Sequence, residues 1–191
     1  MSRRAPHIPQ RLPVFVGCEG ESEAGYVSLL SLFANQASLA VHIHIERLFP
    51  GAGDPLARVK RAVERLDHLK GRREPFKHLF ILLDEDQVAG APQRAEEARR
   101  LADRHNIVLI WQRPCHEALL LRHLPERQDR RPPNVTLSDR ALVAEWSAYK
   151  KPMTRSELRE RIDLEAVYRA AAVEPELASL LRVMGLTGYE A

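Results

Sequence analysis

The sequence predicts an α/β protein, with a parallel four-stranded sheet flanked by helices and a mostly helical C-terminal part. Three observations carry this. Short apolar runs alternate with longer segments of helical spacing as far as Leu124. The third run, His78 to Leu83, is apolar and bounded by polar residues, as a central parallel strand requires. From Ser138 onward helical segments dominate.

The elements follow in order. Val14 to Gly17 reads as a short buried strand that ends at Cys18, Glu19 and Gly20. Gly20 is expected to permit a sharp turn, and Ser22 can cap a helix to about Gln36. Tyr26, Leu29, Leu30 and Phe33 recur in that helix at helical spacing. Val41, Ile43 and Ile45 then alternate with His42, His44 and Glu46, the pattern of a half-buried strand. Phe49 to Pro55 is a turn cluster. Asp54 to Lys70 forms a second amphipathic helix with Val59, Val63 and Leu66 on its inner stripe. After the third strand, Asp84 to Pro92 reads as a loop, and Pro92 can start a third helix to about His105. Asn106 to Trp111 is the fourth strand, and His116 to Leu124 a short helix. The partition is a flexible basic arm over 1–12, the α/β domain over 13–124, a surface loop over 125–137, and a helical part of the same unit over 138–191.

Composition bounds the function. The chain has 191 residues, 45% hydrophobic and 29% charged, ordinary for a globular protein. A net charge of +3 and a pI near 9.1 are compatible with nucleic-acid binding but too mild for histone-like binding through charge alone. Two cysteines cannot build a disulfide framework. No apolar run approaches the roughly 20 residues that span a bilayer. The expectation is a cytoplasmic protein without membrane attachment.

With the second strand outside the first, the third pairs with the first on its other side. Glu19 and the acids of the Asp84–Glu85–Asp86 run then meet at one edge of the sheet, where ligands of parallel sheets bind. In an extended segment alternate residues share a face, so Asp84 and Asp86 are expected to point together toward Glu19. Converging carboxylates repel unless a cation neutralises them, and hard oxygen ligands suit Mg²⁺ or Mn²⁺. Taken alone, the acidic run fits a solvated turn better than a site; Glu19 on an adjacent strand brings the two readings level.

These residues also resemble a family. "CEGESEAGYVSLL" is similar to the E-G-x-[ST]-E-x-x-Y opening of RloB-like proteins, which resemble the Toprim superfamily. A Toprim domain carries a glutamate after its first strand and D-x-D after its third, which match Glu19 and Asp84/Asp86. "RPCHEALLLRHL" resembles the family's N-P-C-F-E-x-W-L-L-x-H-F segment at Pro114, Cys115, Glu117 and His123. "AYKK", Ala148 to Lys151, resembles a late Y-x-K segment. The likeness covers about Val14 to Tyr168. Departures are Arg113 in place of asparagine, His116 in place of an aromatic, and Ala118–Leu119 in place of a pair that usually includes tryptophan. The resemblance implies a Toprim-like fold and Mg²⁺ held by Glu19, Asp84 and Asp86. It further implies a nuclease or related phosphoryl-transfer enzyme in an anti-phage or restriction-linked system, with an AAA- or ABC-type ATPase as partner. The alternative is a degenerate, non-catalytic module that binds nucleic acid or the ATPase.

Other candidates complete the reading. Glu23 and Glu117 could orient an attacking water, although Glu117 also fits a helix N-terminal acid favoured by the macrodipole. Arg122, Arg127, Arg130, Arg131, Lys150 and Lys151 could contact a nucleic-acid backbone, or serve only as solvated charges. Cys18, Cys115 and His116 lie near strand ends but lack zinc-ligand spacing. His42 and His44 share the polar face of an edge strand and are expected to be exposed.

Overall fold

The computed structural model describes residues 10–49, 54–72 and 74–188. The α/β part runs β1 (Leu12–Cys18), α1 (Glu21–Gln36), β2 (Val41–Arg47), α2 (Pro55–Leu69), β3 (His78–Asp84), α3 (Asp86–Gly90), α4 (Pro92–Arg104), β4 (Ile107–Gln112) and α5 (His116–His123). The helical part adds α6 (Val135–Glu145), α7 (Arg155–Arg159), α8 (Leu164–Ala171) and α9 (Pro175–Met184). All four strands are parallel, in the order β2-β1-β3-β4.

Side chains alternate across the pleat and so build two cores. Val14, Val16 and Cys18 of β1 face one way, with Phe80 and Leu82 of β3, and pack on α1. Phe15, Ile81 and Leu83 face the other way and pack on α2 and α4. Ala95, Ala98 and Ala102 are buried along α4, which needs small residues to lie close to the sheet and to α2. Chain leaving β1 therefore turns to one face, and chain leaving β3 turns to the other. The gap between the carboxyl ends of β1 and β3 is the topological switch point, where open α/β sheets bind ligands.

The C-terminal helices share the first core. Trp146, Tyr149, Met153, Val167 and Leu181 are buried in one cluster with Val14, Val16 and Tyr26. The approach is closest at Gly25 of α1, where a Cβ would stand 2.3 Å from the Met153 carbonyl oxygen. Glycine at that position brings the segment from Tyr149 to Met153 against the helix that starts at the site.

Several expectations change. The stretch after Asp84 is not an open loop, since Asp86 to Gly90 forms the short helix α3. The surface loop ends before residue 137: Asn134 accepts a hydrogen bond from the Leu137 N–H and starts α6 at Val135. β1 already begins at Leu12, and the Gln10 side chain donates to Glu74 at 2.6 Å, so residues 10–12 are not a free arm; residues 1–9 lie outside the described residues. Part of the turn cluster, residues 50–53, also lies outside them. Gly20 has φ −141° and ψ −165°, extended backbone that any residue adopts. Its missing Cβ instead leaves room for the Glu23 carboxylate, which would stand 3.1 Å from that carbon. Among the described residues no helix is long and apolar enough to cross a membrane.

Candidate functional site

Glu19 directly follows β1, and Asp84 closes the neighbouring β3. The two are in contact: the Asp84 N–H donates to Glu19 Oε2 at 3.2 Å. Glu19 Oε1 accepts from Gln87 Nε2 at 2.6 Å and faces Arg58 Nη2 at 3.6 Å. Arg58 reaches this point from α2, is buried, and also donates to the Leu48 carbonyl. Arg58 and Gln87 thus fix the orientation of Glu19, and sequence reasoning named neither. The inner stripe of Val59, Val63 and Leu66 passes over Arg58, which shares the buried face of α2 with Pro55 and Ala62.

Asp84 is the most perturbed acid. Its Oδ1 is buried and makes no hydrogen bond. Burial, followed by the charges of Glu23, Glu19, Glu117 and Asp86, pushes its carboxyl up to about 9. At neutral pH the metal-free protein therefore keeps a proton on Asp84. Asp86 departs from the alternation expected of an extended run. Glu85 adopts the αR conformation, which starts α3 and turns Asp86 out of the strand register. Burial raises the Asp86 carboxyl; a hydrogen bond from the Gln87 N–H and the Lys151 charge oppose this, and the charge of Glu117 adds to it. Asp86 remains in the field of the cluster without lying in line with Asp84.

Glu23 is buried, and its Oε2 accepts from the Gly20 N–H at 2.9 Å, closing the first turn of α1 as a capping box does. It faces the site as a fixed negative charge on Asp84. Glu117, in the first turn of α5, is fully buried. Its Oε1 accepts from the Tyr149 hydroxyl at 2.9 Å and pairs with Lys151 Nζ, while Oε2 is buried and has no hydrogen bond. Burial alone would raise this carboxyl, but Lys151, His116 and the Tyr149 hydroxyl outweigh it and hold Glu117 at about 2. The late Y-x-K segment therefore delivers Tyr149 and Lys151 to an acid about thirty residues earlier in the chain.

The basic residues divide. Arg122 is completely buried, pairs with Glu174 at 3.1 Å and donates to the Arg113 carbonyl, so it cannot contact a nucleic acid. α5 is buried on all sides, which leaves no solvent-facing position for Arg122. Lys151 turns inward to Glu117, whereas Lys150 pairs at the surface with Glu157 at 2.9 Å. Arg127, Arg130 and Arg131 line a surface groove with Pro132, Pro133 and Leu137. Arg127 is paired with Glu145 and Arg131 lies 3.6 Å from Glu174, while Arg130 is exposed. Arg113 bridges Glu85 at 3.3 Å and Glu176 at 2.9 Å, tying the acidic loop to α9.

Cys18 and Cys115 are free and buried, and burial pushes the Cys115 thiol up to about 12, far from a reactive thiolate. His44 is not simply exposed: its ring packs against Phe15 and Phe76 at 5.8 and 5.4 Å, and it meets Glu46 at 3.3 Å. His42 is exposed. Behind the site, the Tyr26 hydroxyl bonds His123 Nε2 at 2.9 Å, and Gln112 Nε2 lies 2.7 Å from His116 Nδ1. Among the described residues no three Asp, Glu, His or Cys side chains stand together as a ready-made ion cage. What the rim offers is two acids in direct contact, two orphaned carboxylate oxygens and three further acids.

No curated protein and no solved structure matches the chain. The family model of the RloB-like proteins matches residues 14–179, which include most of β1, the acids after β1 and β3, α5 and the Tyr149–Lys151 segment. By that match over most of its length, this chain belongs to the RloB-like protein family.

Proposed function

We propose that the protein is a Toprim-like, Mg²⁺- or Mn²⁺-dependent nuclease, or a related phosphoryl-transfer enzyme, acting on nucleic acid. The observation that carries this is Asp84: a carboxyl at the switch point whose Oδ1 has no partner and whose neighbours are acids. A buried carboxyl without partners is costly unless a cation or a substrate group completes it. Glu19, Asp84 and Asp86 offer the hard oxygen donors these cations take, and the orphaned oxygen of Glu117 lies in the same field. The donor set fits the cation. When bound, such an ion stabilises the charge of an in-line phosphoryl displacement and lowers the pKa of a water.

The chain's own residues do the rest. Arg58 and Gln87 hold the Glu19 carboxylate toward Asp84. Glu117, held near 2, is too weak a base to remove a proton at neutral pH, so it orients a water through Oε2. Glu23 stays on the Gly20 N–H and contributes charge alone. The groove at Arg127, Arg130 and Arg131 tracks a phosphate backbone. An ATPase encoded nearby and a role in anti-phage defence belong to this proposal, on the strength of the family resemblance.

One observation favours the adaptor reading. Both Glu19 oxygens are already engaged, by Gln87 and Arg58 on one side and the Asp84 N–H on the other. Calorimetry with Mn²⁺ decides between them, using wild type, Glu19→Ala and Asp84→Ala. The same proteins are then assayed for cleavage of single- and double-stranded DNA and RNA, with and without the neighbouring ATPase. Binding and cleavage by wild type, lost in both variants, supports the nuclease. Wild type that binds no Mn²⁺ and cuts nothing with its ATPase present supports the adaptor. Equal cleavage by all three proteins removes this site from the chemistry.

A further inference from the structure

The site contains two cations of its own, and they are held differently. Arg58 is 5% exposed, and its guanidinium is committed to the Leu48 carbonyl and Glu19. Lys151 approaches from the surface with half its side chain in solvent, and its ammonium ends on the fully buried Glu117. The backbone around it is fixed: Tyr149 and Met153 are buried on either side, and Met153 presses on Gly25. The side chain is not. It can swing into water without disturbing the core, as the planar, buried Arg58 cannot.

The acids around that ammonium need a positive charge. Glu19, Glu23, Asp84, Asp86 and Glu117 share one rim, and two of their oxygens have no hydrogen-bond partner. A lysine ammonium is a compact point charge, the kind a metal ion can replace. Its charge is felt at Asp86 and Glu117 and is itself sensitive to Asp84. Its position on Glu117, whose Oε2 is orphaned, and within the field of Asp84 is therefore one that a divalent cation would contest.

We infer that Lys151 is a displaceable counter-ion, whose ammonium holds the cation's place beside Glu117 in the metal-free protein and yields it when Mg²⁺ or Mn²⁺ enters. This rests on the metal reading of the site and adds its regulation: metal binding must release Lys151 into solvent, where it is free to meet a phosphate. The resident charge also sets a threshold on the metal concentration at which the site fills.

The test is calorimetric titration of the full chain with MnCl₂, using wild type, Lys151→Met, Lys151→Arg and, as the outward-facing control, Lys150→Met. Lys151→Met is expected to bind Mn²⁺ at least tenfold more tightly than wild type, with the other two within about twofold of it. Without metal, Lys151→Met should melt below wild type because Glu117 loses its partner, and Mn²⁺ should raise its melting temperature by more than it raises that of wild type. If Lys151→Met does not fold without metal, Lys151→Gln, which keeps a neutral donor to Glu117, is titrated in its place with the same tightening expected. Equal binding by wild type and Lys151→Met overturns the counter-ion and leaves the metal site standing. Weaker binding by Lys151→Met also overturns it and makes Lys151 a support for Glu117. No binding by either protein overturns the counter-ion and the metal reading together.

Discussion

The two faces of the sheet are built from different material. Against α2 and α4 the core is Phe15, Leu48, Val59, Ile81, Leu83 and their apolar neighbours; Arg58 is the one buried charged residue on this side among the described residues, and it points to the rim. Against α1, α5 and the C-terminal helices the protein buries Glu23, Gln112, His116, Glu117, Arg122, His123 and Glu174. Burying such groups adds little net stability, because desolvation offsets much of what their pairing returns. The dry face holds the smaller apolar cluster and, among the described residues, no buried polar group but Arg58; the polar face holds the larger apolar cluster and positions charge as well. That explains the C-terminal helices. They complete the larger apolar core and bring Tyr149 and Lys151 to the acids.

The strongest way to break this comparison is to remove one partner of a buried pair. Arg122→Ala leaves Glu174 buried without its closest cation and is expected to cost about 3–5 kcal/mol in urea unfolding at pH 7. The double variant Arg122→Met with Glu174→Leu removes both charges and should recover most of that loss. Ile81→Ala on the dry face should cost about 2–5 kcal/mol through its cavity, which no polar replacement opposite can restore. If Arg122→Ala costs under about 1 kcal/mol, the polar face is not organised by its buried pairs.

A second comparison uses one glycine from each face. A Cβ at Gly25 meets the fixed Met153 carbonyl at 2.3 Å, while one at Gly17 meets side-chain carbons, Leu48 Cδ1 at 2.9 Å and Ile81 Cγ1 at 3.2 Å. Side chains can give way and a packed backbone cannot. Gly25→Ala should cost roughly 1–3 kcal/mol even after the gain in helix propensity, and Gly17→Ala distinctly less. Gly25→Ala should also weaken Mn²⁺ binding or cleavage, because the displaced segment carries Tyr149 and Lys151. A Gly25→Ala protein as stable and as active as wild type would separate that segment from the site.

Much of this was legible because strands and helices announce themselves by period. The alternation of apolar runs and amphipathic segments gave the sheet, and the position of β2 outside β1 placed Glu19 beside Asp84. Asp86 was misplaced because the strand pattern does not show where the chain turns; α3 begins one residue after Glu85 and ends the two-residue alternation. Arg122 reads as solvated in "HEALLLRH", yet every residue of α5 is buried, so the helix has no outer face to offer. Arg58 and Gln87 carried no signal, since their role depends on packing between elements far apart in the chain. The pairing of Lys151 with Glu117 was hidden likewise: the family motifs supplied both residues but not their contact.

The effect most diagnostic of the polar face is its dependence on pH. The Asp84 carboxyl stands at about 9 when folded, against an ordinary 3.8. A folded-state pKa above the unfolded one stabilises the protein fully below the unfolded value, and that contribution fades as pH rises toward the folded value. Between pH 4 and 9 the unfolded chain releases this proton while the folded metal-free protein retains it, so wild type loses stability across that window. Asparagine resembles the protonated acid and titrates nowhere in it. Asp84→Asn should match wild type near pH 4 and exceed it by a margin that widens steadily toward pH 8, read as a widening gap in melting temperature. Ile81→Val on the dry face should instead show an offset that does not vary with pH. Adding Mn²⁺ should reverse the order at pH 8, because the cation stabilises ionised Asp84 in wild type and has less to bind in the variant. Melting curves from pH 4 to 9, with and without Mn²⁺, measure all of this. A constant difference between Asp84→Asn and wild type across that range would show that Asp84 is not held protonated by its burial and its acidic neighbours.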